Sequence, residues 1–135
     1  MVGGLMYLVD TNVILELLLE QEKAEDVSTF LRRIDSSMLH ITEFCVYSIG
    51  IALLRLNKTE LFIKWIEDIL NSDVRVIKLE LADYELLIDK ALRFNLDFDD
   101  AYQYAVAEKY NLQIISFDKD FDRTEKGRKQ PAQII

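Results

Sequence analysis

The chain has 135 residues, a length typical of one domain with its own hydrophobic core, and 50% of its residues are hydrophobic. Only 4 glycines and 1 proline are present, which favours a compact, largely helical protein over a disordered or repetitive one. The 16 basic and 24 acidic residues give a formal net charge of −8, which argues against binding nucleic acid through broad electrostatic attraction. We expect a single domain over residues 1–135.

Cysteine content and hydropathy indicate where the protein resides. The single cysteine, Cys45, lies in an apolar stretch and has no partner for an intrachain disulfide, which favours a reducing cytoplasm and a place in the core. The first ten residues, MVGGLMYLVD, contain no basic segment, and no apolar run approaches the roughly 18 residues of a membrane span. We therefore expect a cytoplasmic protein that is neither exported by a standard signal nor inserted into a membrane.

Short apolar runs alternate with segments that repeat at helical spacing along the whole chain. Runs of four or five apolar residues are too short for helices and predict buried strands, whereas apolar residues three and four apart predict helices. The predicted elements, in chain order, are a strand at 5–9, a helix after 10–12, a helix at 24–34, a strand at 38–41, helices at 43–55 and 61–70, a strand at 74–77, helices at 80–94 and 97–110, a strand at 112–116 and a short last strand at 132–135.

Two helical patterns carry expectations about packing. Residues 61–70 form a strongly amphipathic pattern, so Trp65 is expected in the core rather than on a platform for stacking bases. The inward face predicted for the helix at 80–94 consists of Leu81, Leu87, Ile88, Ala91 and Leu92. Strands separated by helices of this length pair in parallel, with helices on both faces. The sequence predicts an α/β fold, a three-layer α/β/α sandwich with a short, mainly parallel sheet of four or five strands.

Acidic residues follow the predicted strands at positions that meet at one edge of a parallel sheet. Asp10 ends the first strand, and Asp118 lies two residues beyond the fourth. Glu43 opens the helix after the second strand, and Asp100 lies in the first turn of the helix at 97–110. Carboxylates brought together in this way repel one another unless cations neutralise them, and an all-oxygen ligand set suits Mg²⁺ or Mn²⁺.

Other kinds of site find less support. A zinc site is not expected, because the chain has 1 histidine, 1 cysteine and no HExxH or CxxC pattern. A phosphate-binding glycine loop is not expected either, because Gly3 and Gly4 precede the first strand. A receiver-like phosphoacceptor would need an aspartate after the third strand, where Lys78 stands. The acidic edge is therefore the main candidate.

Three stretches of the sequence together resemble a PIN domain, the nuclease domain of VapC-type toxins: YLVDTNVIL, LHITEFCVYSIG and LDFDDAYQYAVAEKYNLQIISFDKDFD. The resemblance covers nearly the whole chain in order and spacing. It implies helices around a short parallel sheet, three or four acidic residues that bind Mg²⁺ or Mn²⁺, and endoribonuclease activity. For toxin members it also implies an antitoxin protein as partner, and frequent homodimers.

The resemblance assigns roles to the acids at both ends of the chain. Asp10 matches the aspartate of the family's D-[ST]-[NS] motif, and Thr11 and Asn12 match the neighbours that orient and cap around the metal. Asp100 matches the aspartate of the D-A helix motif, with Asp97 three positions earlier as its capping residue.

The loop after the fourth strand matches a further motif. Asp118 matches the aspartate of the [ST]-x-D pattern, with Ser116 as its hydroxyl residue. Asp120 acts through water or holds the loop, whereas Asp122 is expected to be solvated. Asp99 is interpreted either as an exposed acid in the first turn of its helix or as a metal ligand that replaces Asp100 in a shifted register.

Glu43 departs from the commonest toxin pattern. Many toxins carry their second acid deeper in the helix, shortly before a glycine, a place that corresponds here to residues 48–50, the sequence SIG. Glu43 resembles instead a variant of a prokaryotic subgroup, with an acid at the helix start. We carry it over as the fourth ligand.

The hypothesis is a metal-dependent endoribonuclease that hydrolyses RNA, with catalytic metal ligands Asp10, Glu43, Asp100 and Asp118, acting as the toxin of a toxin–antitoxin pair. The alternative is a catalytically degenerate PIN-like domain that binds protein or RNA.

Two groups of residues bear on the binding of partners. The basic residues Arg123, Lys126, Arg128 and Lys129 contact the RNA backbone or belong to a solvated loop, and the leucines Leu15, Leu18 and Leu19 would suit a homodimer.

Overall fold

The computed structural model describes residues 5–134, in which three pairs of α-helices separate four β-strands. The elements are β1 (Tyr7–Val9), α1 (Thr11–Leu18), α2 (Ala24–Arg33), β2 (Leu39–Thr42), α3 (Glu43–Arg55), α4 (Thr59–Leu70), β3 (Arg75–Ile77), α5 (Tyr84–Phe94), α6 (Phe98–Tyr110) and β4 (Gln113–Ile115). The predicted α/β fold is confirmed. None of the helices in the described part of the chain is long and apolar enough to cross a membrane.

The strands form one parallel sheet in the order β3-β2-β1-β4. All three residues of β1 are buried, because this strand has a neighbour on each side and helices on both faces. Val9 pairs with Ile115 on β4. The residues that follow each strand, Asp10 and Ser116, therefore lie side by side where the two strands end.

Two clusters of buried side chains fill the layers on either side of the sheet. One contains Phe30, Ile49 and Trp65 from the helices of the first half, so the expectation that Trp65 is a core residue is confirmed. The other contains Leu87 and Tyr104 from α5 and α6. Each large apolar side chain so buried contributes about 1.5–3 kcal/mol.

The inward face of α5 differs from the prediction. Leu81, Ile88 and Leu92 are exposed by 88%, 49% and 80%, whereas Leu87 is fully buried. The helix begins at Tyr84 and turns its face at positions 87, 90, 91 and 94 toward α6. Lys90 is buried on this face, with its ammonium 3.4 Å from Glu108 of α6. A pattern of apolar residues alone does not anticipate a buried lysine that is paired across helices.

The predicted last strand at 132–135 is wrong within the described residues. Pro131–Gln133 is a short 3₁₀-helix, and Ile135 lies outside the part of the chain that the structure describes. The chain instead makes one parallel bridge to β4, between Lys129 and Ile115. Pro131 has no N–H to donate to a ladder, so the pairing ends there.

The leucines expected on a dimer surface are not freely exposed. Leu15, Leu18 and Leu19 are half-buried and pack against the first core cluster. On α3, by contrast, three large apolar side chains are more than half exposed: Tyr47 by 59%, Ile51 by 55% and Leu54 by 52%. The segment that carries Leu15, Leu18 and Leu19 therefore offers less apolar surface for a dimer than its sequence indicates, and α3 offers more.

Candidate metal centre

A cavity of about 290 Å³ opens where β1 and β4 end. Its lining comes from the start of α1, from α3, from α6 and from the loop after β4, and consists of Asp10, Thr11, Asn12, Leu15, Phe44, Ser48, Asp99, Asp100, Gln103 and Asp118. Four of these side chains are carboxylic acids. No lysine, arginine or histidine of the described residues lines the cavity.

Asp10 is the most enclosed of the four acids, with 6% of its surface exposed. Its backbone N–H donates to the carbonyl of Ile115 at 2.9 Å, which ties the residue to the end of β4. Its carboxylate accepts hydrogen bonds from the N–H of Thr11 at 2.9 Å, from Nε2 of Gln103 at 3.0 Å and from the hydroxyl of Ser116 at 2.7 Å. Burial raises the pKa of Asp10, and these three donors oppose that rise.

Ser116 connects the two strand ends through its hydroxyl group. Its Oγ accepts from the N–H of Asp118 at 2.9 Å and from Nδ2 of Asn12 at 3.3 Å. A hydroxyl oxygen has two lone pairs and one proton, so these two contacts leave the proton for Asp10. Oδ1 of Asn12 accepts in turn from the N–H of Phe117 at 3.2 Å. The predicted supporting residues Asn12 and Ser116 thus fix the backbone that carries Asp118.

Asp100 joins the group from the first turn of α6. Carboxylate oxygens of Asp100, Asp118 and Asp120 lie within 4.8 Å of one another. Burial is the main cause that raises the pKa of Asp100, to about 8, and the charges of Asp118, Asp10 and Asp99 act in the same direction. This repulsion would be relieved by a divalent cation, and the all-oxygen donors are those that Mg²⁺ and Mn²⁺ prefer. The residues present therefore fit such an ion.

Two more acids lie at the start of α6. Oxygens of Asp97, Asp99 and Asp100 also approach one another within 4.8 Å, but Asp97 and Asp99 are exposed. Asp97 occupies the position before the helix without accepting a cap hydrogen bond through its side chain. Asp99 accepts from the N–H of Asp100 at 3.1 Å and lines the cavity.

Glu43 is the one predicted ligand that the fold does not bring to the cavity lining. Its carboxylate accepts a hydrogen bond from the hydroxyl of Tyr47, one turn further along α3. Ser48, five residues after Glu43, does line the cavity. Five residues correspond to about 140° around a helix, so the two side chains cannot share a face. Ser48 stands close to the place where many toxins carry their second acid.

The arginines of the last loop make contacts within the protein. Arg123 donates to the carbonyls of Phe94 at 3.0 Å and Asn95 at 2.6 Å, and also to Asp120 at 3.0 Å. Arg128, with 11% of its side chain exposed, donates to both oxygens of Asp122 and to the carbonyl of Ser116. Asp122 is thus exposed but paired, and both arginines anchor the loop that carries Asp118.

Gln103 and Phe44 line the cavity but were not singled out from the sequence, whereas Leu15 and Ser48, which also line it, were named for other reasons. Two features indicate that Gln103 belongs to the site, and the first is visible in the sequence. It follows Asp100 by three residues, which places both on one face of α6. It is also a polar residue within a segment whose members, from 100 to 107, are all buried.

The comparisons with known proteins agree with the fold. The family model described as PIN domain matches residues 7–127. VapC20 of Mycobacterium tuberculosis, a sarcin–ricin loop cleaving toxin, superposes with a TM-score of 0.79 at 18% identity, over 93% of this chain and 99% of that chain.

Two further solved structures are similar. A chain of a toxin–antitoxin complex from Klebsiella pneumoniae has a TM-score of 0.74 at 17% identity, over 93% of this chain and 97% of that one. A chain of FitAcB from Neisseria gonorrhoeae has a TM-score of 0.71 at 21% identity, over 93% and 98%. Among curated proteins, none matches the sequence. The family match spans most of the chain, and the sequence-based resemblance is confirmed: the chain belongs to the PIN domain family.

Proposed function

We propose that this protein is a divalent-metal-dependent endoribonuclease that hydrolyses RNA phosphodiester bonds. The observation that carries the proposal is the concentration of Asp10, Asp99, Asp100 and Asp118 around one cavity whose described lining has no basic side chain. Repulsion among Asp100, Asp118 and Asp10 makes this arrangement costly without a cation. Such a cost is common at sites built for function.

Asp10, Asp100 and Asp118 are the proposed ligands of Mg²⁺ or Mn²⁺. When bound, such an ion activates water and neutralises the charge that develops on the phosphate. Asp10 is oriented by its three hydrogen-bond donors, and Asp118 is held through Ser116 and through its own contact with the N–H of Asp120 at 2.8 Å. The site needs no protein nucleophile.

Glu43 stays a prediction as the fourth ligand. In the described structure it is engaged with Tyr47, so it would have to exchange that contact for the metal. Asp120, which pairs with Arg123, is proposed to support the loop and to reach the ion through water.

We further propose that the protein acts in the cytoplasm as the toxin of a toxin–antitoxin pair, with residues 1–135 as one domain. The support is the likeness to VapC20, which cleaves the sarcin–ricin loop, and to a chain of the Klebsiella toxin–antitoxin complex. An antitoxin protein and a second copy of the chain are the proposed protein partners. The exposed Tyr47 and Ile51 on α3 are available for such contacts.

The second candidate function is a PIN-like domain that binds a partner without cleaving RNA. The position of Glu43 outside the cavity lining favours it, because one of the four predicted ligands is then missing from the site.

Cleavage of a pool of structured RNAs separates the two candidates. Purified protein is incubated with Mn²⁺, with Mg²⁺ or with EDTA, and Asp10→Asn is compared with Asp89→Asn, which removes the same charge from an exposed position on α5 outside the cavity. The proposed nuclease cleaves only with metal, loses cleavage in Asp10→Asn and retains it in Asp89→Asn. A folded wild type that cleaves under none of these conditions supports the binding module.

A further inference from the structure

Gln103 is buried at the metal centre with one half of its amide group engaged. Only 5% of its surface is exposed, and it lines the acidic cavity. Nε2 donates to Oδ1 of Asp10 at 3.0 Å. Oε1 is buried and has no hydrogen-bond partner in the described part of the chain.

The contacts of Asp10 fix which way this amide points. Both oxygens of Asp10 already accept hydrogen bonds, Oδ1 from the N–H of Thr11 and Oδ2 from the hydroxyl of Ser116. A carboxylate in this setting repels an amide oxygen, so the NH₂ group of Gln103 faces Asp10. Oε1 then lies within about 5.5 Å of Oδ1 of Asp10, the limit set by the 3.0 Å hydrogen bond and the bond lengths of the amide.

A residue kept only for packing would not need this amide. An unpartnered buried carbonyl oxygen is unfavourable, and native proteins rarely retain one without a functional reason. Apolar side chains surround this position along α6, where Ala101, Val106 and Ala107 are fully buried. The amide is therefore explained by the site it lines rather than by the helix that carries it.

We propose that Gln103 is a positioning residue for the metal: its N–H group holds the Asp10 carboxylate in the orientation that binds the ion, and its free oxygen accepts a hydrogen bond from water that arrives with the ion. The inference rests on the proposed metal-dependent function. Partners of this kind, which orient a ligand without touching the metal, commonly change metal affinity by 10–100-fold when removed.

The test is Mn²⁺ binding by isothermal titration calorimetry on the full chain, with metal-free protein at the start. Gln103→Met removes the amide and keeps an unbranched side chain of similar length. Gln103→Asn keeps an amide but withdraws it from Asp10 by one methylene, so it serves if the Met variant does not fold. Gln113→Met is the matched control, because Gln113 is partly buried on β4 and does not line the cavity.

We expect the dissociation constant for Mn²⁺ to rise about 10–100-fold in both Gln103 variants and to stay unchanged in Gln113→Met. Circular dichroism of the metal-free proteins shows whether each variant is folded. A merely structural role would alter the unfolding midpoint and leave the Mn²⁺ affinity of the folded variant unchanged, and that result would overturn the inference. A wild type that binds no Mn²⁺ would contradict the proposed function itself, so the two failures are distinguishable.

Discussion

Replacing Asp100 by asparagine should stabilise the metal-free protein, although it removes a candidate ligand. Burial and the neighbouring charges of Asp118, Asp10 and Asp99 raise the pKa of Asp100 from 3.8 to about 8. The folded state therefore holds a proton at pH 7 that the unfolded state has released. About 3 pH units lie between the unfolded pKa of 3.8 and pH 7. At 1.36 kcal/mol per unit, the protonation of Asp100 on folding lowers the free energy of unfolding at pH 7 by about 4 kcal/mol.

Asparagine does not ionise and so avoids this cost, but it leaves a polar amide in the cavity, which reduces the gain in stability by about 1–2 kcal/mol. The expected net gain is about 2 kcal/mol at pH 7, or a rise in Tm of about 5–10 °C for a chain of this size. Because the folded pKa is the higher one, the wild type loses stability as the pH rises from about 4 to about 8. The advantage of Asp100→Asn should therefore grow from about pH 5, where it offsets the cost of the buried amide, up to about pH 8.

The assay is thermal unfolding in EDTA across this pH range, repeated with Mn²⁺. Asp89→Asn is the control, since it removes the same charge from an exposed position on α5. Mn²⁺ should raise the Tm of the wild type and of the control but not of Asp100→Asn; an ion at 100 times its Kd adds about 2.7 kcal/mol. An Asp100→Asn variant that is less stable than the wild type in EDTA at pH 7 would refute the account of repulsion.

Three further predictions concern the walls of the cavity and the loop beside it. Glu43→Gln should change the Mn²⁺ affinity less than about fivefold in calorimetry if Glu43 keeps its contact with Tyr47, and a loss of more than about tenfold would show that it exchanges that contact for the metal as the fourth ligand. Asp118→Asn should weaken Mn²⁺ binding more than about tenfold. Ser48→Glu adds a carboxylate to the cavity wall and should tighten Mn²⁺ binding about tenfold; weaker binding would show that the added group does not face the ion. Arg128→Ala removes the contacts to Asp122 and to the carbonyl of Ser116 and should lower the free energy of unfolding by about 1–3 kcal/mol in urea titrations, and an unchanged stability would contradict its anchoring role.

The sequence was sufficient to predict the four strands of the sheet and the edge at which the acids gather, although it also predicted a fifth strand that does not form. Short apolar runs separated by long helical patterns leave little choice but a parallel sheet, and Asp10 and Asp118 follow two strands that turn out to be neighbours. The resemblance to PIN domains added the order of the acids and the hydroxyl residue Ser116. These features depend on short stretches of the chain, so the pattern of residues within each stretch can predict them.

Features that depend on where a helix face points were harder to predict. Glu43 and Ser48 lie on the same helix, and only the rotation of α3 against the sheet decides which of them lines the cavity. Lys90 is buried because Glu108 on another helix meets it, and apolar spacing gives no sign of such a partner. Arg128 was interpreted either as an RNA contact or as part of a solvated loop, and its pairing with Asp122 was not anticipated, because Asp122 was expected to be solvated.

An anomalous difference map from crystals of the protein grown with Mn²⁺ tests the metal centre most directly. A strong peak is expected in the cavity, within coordination distance of carboxylate oxygens of Asp10, Asp100 and Asp118. The same crystals of Asp100→Asn should show a weak peak there or none. A wild-type map without a peak among these three carboxylates, at a Mn²⁺ concentration that fills other sites on the protein, would contradict the metal centre and with it the proposed nuclease.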